Sequence, residues 1–217
     1  MSRSANKIEV AVYYFPQYHP DPRNDAWHGH GWTEWELMKL ARPRFPGHRQ
    51  PIHRGAAILP VESVVKDFRQ IAETLGCSSI GSYTWVHHYN IQLDGFPHGN
   101  YARAAAANYA AWEEHEKMFA IPYHLNVTMG WDSSPRTIQS DVYECVGYPW
   151  CSVLDGNTPD AFKSALERAK AFVTRPCVKQ PIVTINAWNE WTEGSYVLPD
   201  TVYGNGYLEA IRDVFGG

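Results

Sequence analysis

Residues 185 to 196 read INAWNEWTEGSY, which sets Glu190 and Glu193 three apart, frames them with Trp188 and Trp191, and follows them at once with Gly194. Residues at i and i+3 share a face on a helical turn but point to opposite sides of a strand. If the chain leaves a strand near Glu190 and turns ahead of Gly194, both carboxyls reach one cavity. Two carboxyls at one bond, one protonated and one ionised, are what cleavage of a glycosidic bond requires. A spacing of about 5 Å goes with retention and one of roughly 6.5–9.5 Å with inversion. The competing reading is structural: Glu190 bonds backbone amides and Glu193 caps a turn.

Other clusters carry the same mixture of rings and hydrogen-bonding groups. YYFPQYHP sends Tyr14, Gln17 and His19 out of an apolar run, and Trp27, Trp32, Glu34 and Trp35 follow it. Pyranose rings offer apolar C–H faces and a rim of hydroxyls, so indoles beside polar groups suit them. Trp85, His87 and His88 in SYTWVHH, Trp131 and Asp132 in MGWDSSPR, and Asn189 and Trp191 beside the glutamates complete the candidate substrate-binding set. Asp132 either accepts from sugar hydroxyls or orients a catalytic group, and Arg136 reads equally as its structural partner. His28 and His30 fall short of a metal-ligand set. Adjacent histidines on a strand face opposite ways, so His87 and His88 do not share one ion. No metal and no cofactor is expected. The GxSxG elbow, the phosphate-binding glycine loop and nicotinamide or flavin signatures are missing from the sequence.

Four apolar runs position these clusters. IEVAVYYFPQ (8–17), CSSIGSYTWVHHY (77–89), PYHLNVTMGW (122–131) and PIVTINAW (181–188) read as strands, apolar on both sides of the period. Helices are expected at 33–41, at 60–76 with Gly76 as a C-terminal cap, at 101–119, from Thr158 as N-cap with Pro159 at the first position, and over GYLEAIRDVF. Alternation of this kind predicts a parallel sheet covered on its faces. Every strand runs into one of the polar, aromatic clusters at its C-terminal end, where α/β folds place their sites.

Bulk properties agree with a globular, sugar-handling chain. It has 217 residues, a net charge of −4, nine Trp and 13 Tyr. That balance gives no footing for nucleic acid, and no run approaches the roughly 20 apolar residues of a membrane span. The N-terminus lacks a signal-peptide pattern, and the four cysteines show no CxxC spacing. A cytoplasmic location is expected.

YYFPQYHPDPRNDAWHGHGWTEW, SYTWVHH, MGWDSSPRT and VTINAWNEWTEGSYVLPD with GYLEAIRDVF resemble segments of the WbsX family, labelled glycosyltransferase-like and related to glycoside hydrolase family 99. The resemblance spans nearly the whole chain and implies a (β/α)8 barrel acting on glycans. The hydrolase family carries its acids in a Glu-Trp-His-Glu stretch; here Glu190-Trp191-Thr192-Glu193 keeps both acids and the Trp, with Thr192 in place of His. By that likeness Glu190 is the base on the sugar's 2-hydroxyl and Glu193 the general acid. A complete barrel takes about 250 residues, and four βα units are legible here, so the expected fold is one incomplete TIM-type barrel domain over 1–217. Several strands are expected to be missing near residues 60 to 77, with self-association if a bare sheet edge results. The expected function is glycosidic bond cleavage by Glu190 and Glu193 on a carbohydrate substrate. The alternatives are a glycosyltransferase of surface polysaccharide assembly, for which no DxD-like motif is found, and an inactive carbohydrate-binding remnant.

Overall fold

The computed structural model describes residues 7–49 and 78–216. Four parallel strands form its main sheet: β1 (Glu9–Val12), β2 (Ile80–Gly81), β4 (Tyr123–Thr128) and β6 (Ile182–Asn186). They lie side by side in the order β1-β6-β4-β2. Val10 pairs with Val183, Leu125 also pairs with Val183, and Ile80 pairs with Tyr123. The fold is therefore mixed α/β with a parallel sheet.

The strands depart from the expectation of two apolar faces. Leu125, Val127, Val183 and Ile185 are buried on one side. They belong to the same core as Phe162, Ala165, Leu166 and Ala169 of α4 (Pro159–Val173). The alternate residues Asn126, Thr128, Thr184 and Asn186 are equally buried but polar. Hydrogen bonds make that tolerable for three of them: Asn126 Nδ2 donates to Thr184 Oγ1 at 3.2 Å, Thr128 Oγ1 to Asn126 Oδ1 at 2.8 Å, and Thr184 Oγ1 to the Leu125 carbonyl at 2.9 Å.

Helix ends follow local chemistry. Asn100 accepts from the Arg103 N–H at the start of α3 (Tyr101–Met118), and Thr158 accepts from the Ala161 N–H at the start of α4. The closing helix α5 (Gly206–Phe215) packs against α4. α2 covers Trp35–Leu40. The helix expected over 60–76 lies outside the described residues. α1 (Pro22–His28) was not anticipated, although Asp21 accepts from the Arg23 N–H and Pro22 stands at the first position.

All four strands are shorter than their apolar runs, the first two markedly so. β1 ends at Val12, and the Asn189 side chain brackets the Phe15 backbone, accepting from its N–H at 2.7 Å and donating to its carbonyl at 2.6 Å. In the second run only Ile80–Gly81 is strand, and Trp85–His87 is a 3₁₀ turn. The Trp85 amide donates to Thr128 Oγ1 and its indole to the Asn126 carbonyl, both at 2.9 Å, which ties this segment to the side of β4. His87 and His88 are thus a turn and its cap, and the strand argument about their directions does not apply. Short pairs flank the sheet: β3 (His98–Asn100) runs parallel to β5 (Val153–Asp155), and β7 (Asn189–Glu190) antiparallel to β8 (Ser195–Tyr196).

Candidate functional site

Three glutamates from two distant parts of the chain, Glu34 and the Glu190–Glu193 pair, meet one arginine beyond the C-terminal ends of β4 and β6. Glu34 stands at the start of α2, where its N–H donates to the Gln17 carbonyl at 3.0 Å. Glu190 ends β7, and Glu193 ends the 3₁₀ turn Trp191–Glu193. Arg136 closes another 3₁₀ turn, Ser134–Arg136, whose start is held by the Ser134 N–H donating to Asp132 Oδ1 at 2.9 Å. The chain does turn directly after Glu190, as the spacing predicts.

The guanidinium serves all three acids. Nη2 lies 3.2 Å from Glu34 Oε2 and 3.0 Å from Glu190 Oε1, while Nη1 lies 3.2 Å from Glu193 Oε1. Nη1 also donates to the Tyr148 hydroxyl at 2.6 Å, and that hydroxyl donates to Glu193 Oε1 at 2.8 Å. Arg136 Nε donates to Thr192 Oγ1 at 3.0 Å. The same threonine oxygen contacts Glu34 Oε2 and stands 2.9 Å from Glu190 Oε1, so its single proton serves one of them at a time. Tyr18 accepts from the Thr192 N–H at 2.7 Å. Each carboxyl of the Glu-x-x-Glu pair has polar partners, Arg136 and Thr192 for Glu190, Arg136 and Tyr148 for Glu193.

Charge and burial decide the protonation. Glu190 is 1% exposed and Arg136 about 21% at the side chain. Burial pushes the Glu190 carboxyl well above its ordinary range; Arg136 opposes this, and Glu193 and Glu34 add to it. For Arg136, burial works against the charge, but Glu193, Glu34 and Glu190 outweigh it and hold the guanidinium well above its usual value. Glu190 Oε2 is buried with no hydrogen-bond partner. A raised folded-state value means that the folded chain keeps a proton which the unfolded chain releases above about pH 4.3. Stability is therefore fully supported below that pH and declines as the pH rises through the raised value. Urea denaturation over a pH series should reveal this decline in the wild type and a flatter profile in Glu190→Gln.

The remaining candidates divide into three groups. Asn189 and Trp191 lie beside the acids but are 0% exposed. Asn189 holds the Phe15 backbone, and Trp191 stacks on Tyr196 with centroids 3.8 Å apart, so its ring serves the framework. Trp35 is half-buried against Tyr18 at 4.3 Å and reaches Trp191 at 6.4 Å. Trp85 is also 0% exposed and belongs to the core, which leaves it no free face for a sugar. Tyr14, His19, Trp27, His87 and His88 are exposed, and Gln17 is half-buried with its carbonyl bonded to Glu34.

Asp132 is partnered by His48 and not by Arg136, the structural partner that one of its two readings offers. Its Oδ2 lies 2.9 Å from His48 Nε2, and both side chains are buried. His48 Nδ1 accepts from the Arg44 N–H at 3.0 Å, which leaves Nε2 as the donor to Asp132. Arg136 instead belongs to the glutamates. Arg136, Thr192, Tyr18, Tyr148 and His48 were not singled out as site residues, and the only hint was the position of Arg136 just past the Asp132 motif.

A cavity of about 300 Å³ opens beside the cluster. Trp131, Asp132 and Gly194 line it, whereas Glu190 and Glu193 do not, so the one cavity that both carboxyls are expected to reach is not this one. Gly194 is the common wall. Its φ is +60°, and an added Cβ would fall 2.6 Å from Asp132 Cβ and 2.8 Å from the Asp132 nitrogen. Gly194→Ala therefore combines left-handed strain with a backbone collision, and a loss of about 1–3 kcal/mol is expected in urea denaturation. Among the described residues, no three His, Cys, Asp or Glu side chains gather as a metal-ligand set. Among the same residues, no helix is long and apolar enough to cross a membrane.

Comparison with known proteins adds three findings. The family described as Glycosyltransferase WbsX matches residues 10–94 and 99–211. Proteins from two strains of Xanthomonas campestris pv. campestris, each described as uncharacterized protein WxcX, are 35% identical over 77 residues. That match covers 34% of this chain and 11% of each relative, so the similarity spans about a tenth of their length. A solved structure titled glycoside hydrolase-like protein aligns over 52% of this chain and 32% of its own, with 15% identity and a TM-score of 0.39.

Proposed function

Because the chain belongs to the WbsX glycosyltransferase family, we propose that it cleaves a glycosidic bond by acid/base catalysis, with Glu190 and Glu193 as the reacting pair. One observation carries this reading: three glutamates, two of them in the family's terminal motif, converge on a single buried arginine. A cluster with more acids than bases is a poor device for stability, because desolvating surplus charge costs more than the pairing returns. Such arrangements are characteristic of sites that need a shifted carboxyl.

The roles follow from environment. Glu190, the more buried acid, holds its proton and delivers it to the leaving glycosidic oxygen. Glu193 takes a proton from the attacking hydroxyl, of water or of the sugar itself, as the bond to the leaving group breaks. This reverses the assignment that the hydrolase resemblance implies. Glu34 and Arg136 are positioning residues that set the charge around the pair. Tyr148, exposed and bonded to Glu193, gives up that bond when a substrate hydroxyl takes its place. The described strands fit an arc of a (β/α) barrel, since the order β1-β6-β4-β2 sets the first strand beside the last, as barrel closure requires.

The family's printed description favours a second reading, transfer of a sugar to an acceptor other than water. Incubation with bacterial surface polysaccharides, with and without sugar nucleotides, separates the two. New reducing ends without nucleotide consumption are expected. Nucleoside diphosphate release coupled to glycan growth would replace hydrolysis with transfer.

A further inference from the structure

The cavity beside the acids has a lining that the acid–arginine cluster does not use. Trp131, Asp132, Tyr196 and Tyr207 are buried on its wall, while Asp155 and Gly156 are exposed at its edge. The tyrosine hydroxyls are bound by other residues of the lining: Tyr196 donates to Asp200 Oδ2 at 3.0 Å and Tyr207 to the Asn157 carbonyl at 2.5 Å. Both rings belong to the wall, and Tyr196 is stacked from behind by Trp191. Asn157 also lines it, and its Nδ2 is set against Met129 Sδ at 3.9 Å, a weak acceptor that leaves the amide able to bond a ligand. Among the described residues of the lining, Asp132, Asp155 and Asp200 stand against Arg49 and His48. That acidic balance disfavours phosphate and suits hydroxyl donors. The volume lies at the low end of the roughly 300–1,000 Å³ typical of small-molecule pockets, which is room for one ring.

We propose that this cavity binds a single uncharged sugar ring through Asn157, Asp132 and the aromatic wall of Trp131 and the tyrosines, seating one ring of the glycan next to Glu193 across Gly194. The inference rests on the glycan-cleaving reading and adds to it a site for one neutral ring, from which sugar phosphates are excluded.

Titration of ¹⁵N-labelled protein with methyl glycosides of glucose, galactose, mannose and N-acetylglucosamine, and with glucose 1-phosphate, tests it. At least one methyl glycoside should shift the amides of Gly156, Asn157 and Gly194 and the Trp131 indole, and glucose 1-phosphate should not. Asn157→Leu should weaken that binding about tenfold, the worth of one hydrogen bond. Val202→Trp, at a lining position 44% exposed, should block the pocket without touching the core, and serves alone if the first variant does not fold. Silent signals for all four glycosides, binding unchanged in Val202→Trp, or glucose 1-phosphate binding as tightly as any glycoside would each overturn the proposal. Cavity binding with turnover indifferent to Glu190→Gln would instead sink the catalytic reading and leave the pocket standing.

Discussion

Replacing Arg136 by methionine is expected to lower the folding free energy at neutral pH by about 3–5 kcal/mol, with most of the loss recovered as the pH falls. Methionine keeps much of the side-chain volume, so the change is chiefly electrostatic. Glu34 and Glu193 would face each other, and Glu190 between them, without the guanidinium that now touches all three. Total stability for a domain is only about 5–15 kcal/mol, so the variant should be partly unfolded at pH 7. Acid protonates the carboxyls and removes the repulsion. Arg136→Lys should recover only part of the loss, because an ammonium cannot fork between three partners. Urea denaturation at neutral and acidic pH measures this directly. A methionine variant as stable as the wild type at pH 7 would mean that the cluster is not held together by its arginine.

The second large effect is catalytic. Glu190→Gln and Glu193→Gln should each lower reducing-sugar release by about 10²–10⁴, the usual contribution of a positioned acid or base. Both keep the side chain's shape, and removing a carboxyl from an acid-rich cluster should leave the fold intact. Their kinetic signatures should differ. A substrate with a good leaving group, such as a nitrophenyl glycoside, needs no proton, so it should restore much of the rate of Glu190→Gln. Glu193→Gln should remain slow on the same substrate. The reverse pattern would return the acid role to Glu193.

The helices were legible because their signals are local. Thr158 with Pro159, and the apolar stripe from Phe162 to Phe172, describe α4 within a few residues of its observed bounds. The strands were read too long because an apolar run does not announce where pairing stops. That depends on Asn189 clasping Phe15 and on Trp85 bonding β4, contacts between residues 174 and more than 40 apart in sequence. The polar face of β4 and β6 is carried by the Asn and Thr of LNVT and VTIN, whose β-branched neighbours make each segment read as one continuous run. The glutamate pair was visible from its spacing. Its arginine was not, because a guanidinium 102 residues from Glu34 and 54 from Glu190 is assigned only by the fold. Indole content misled in part: Trp85 and Trp191 looked like sugar platforms and are core.

The claim beneath these expectations is that Glu190 enters the reaction carrying a proton. Carboxyl titration of protein labelled with ¹³C at glutamate, assigned through Glu190→Gln, reports it without knowledge of the substrate. Glu190 should remain neutral well past the pH at which exposed glutamates have ionised, and its raised midpoint should move down when Glu34 is replaced by Gln. A Glu190 signal titrating near about 4.3, like an unperturbed glutamate, would contradict the account.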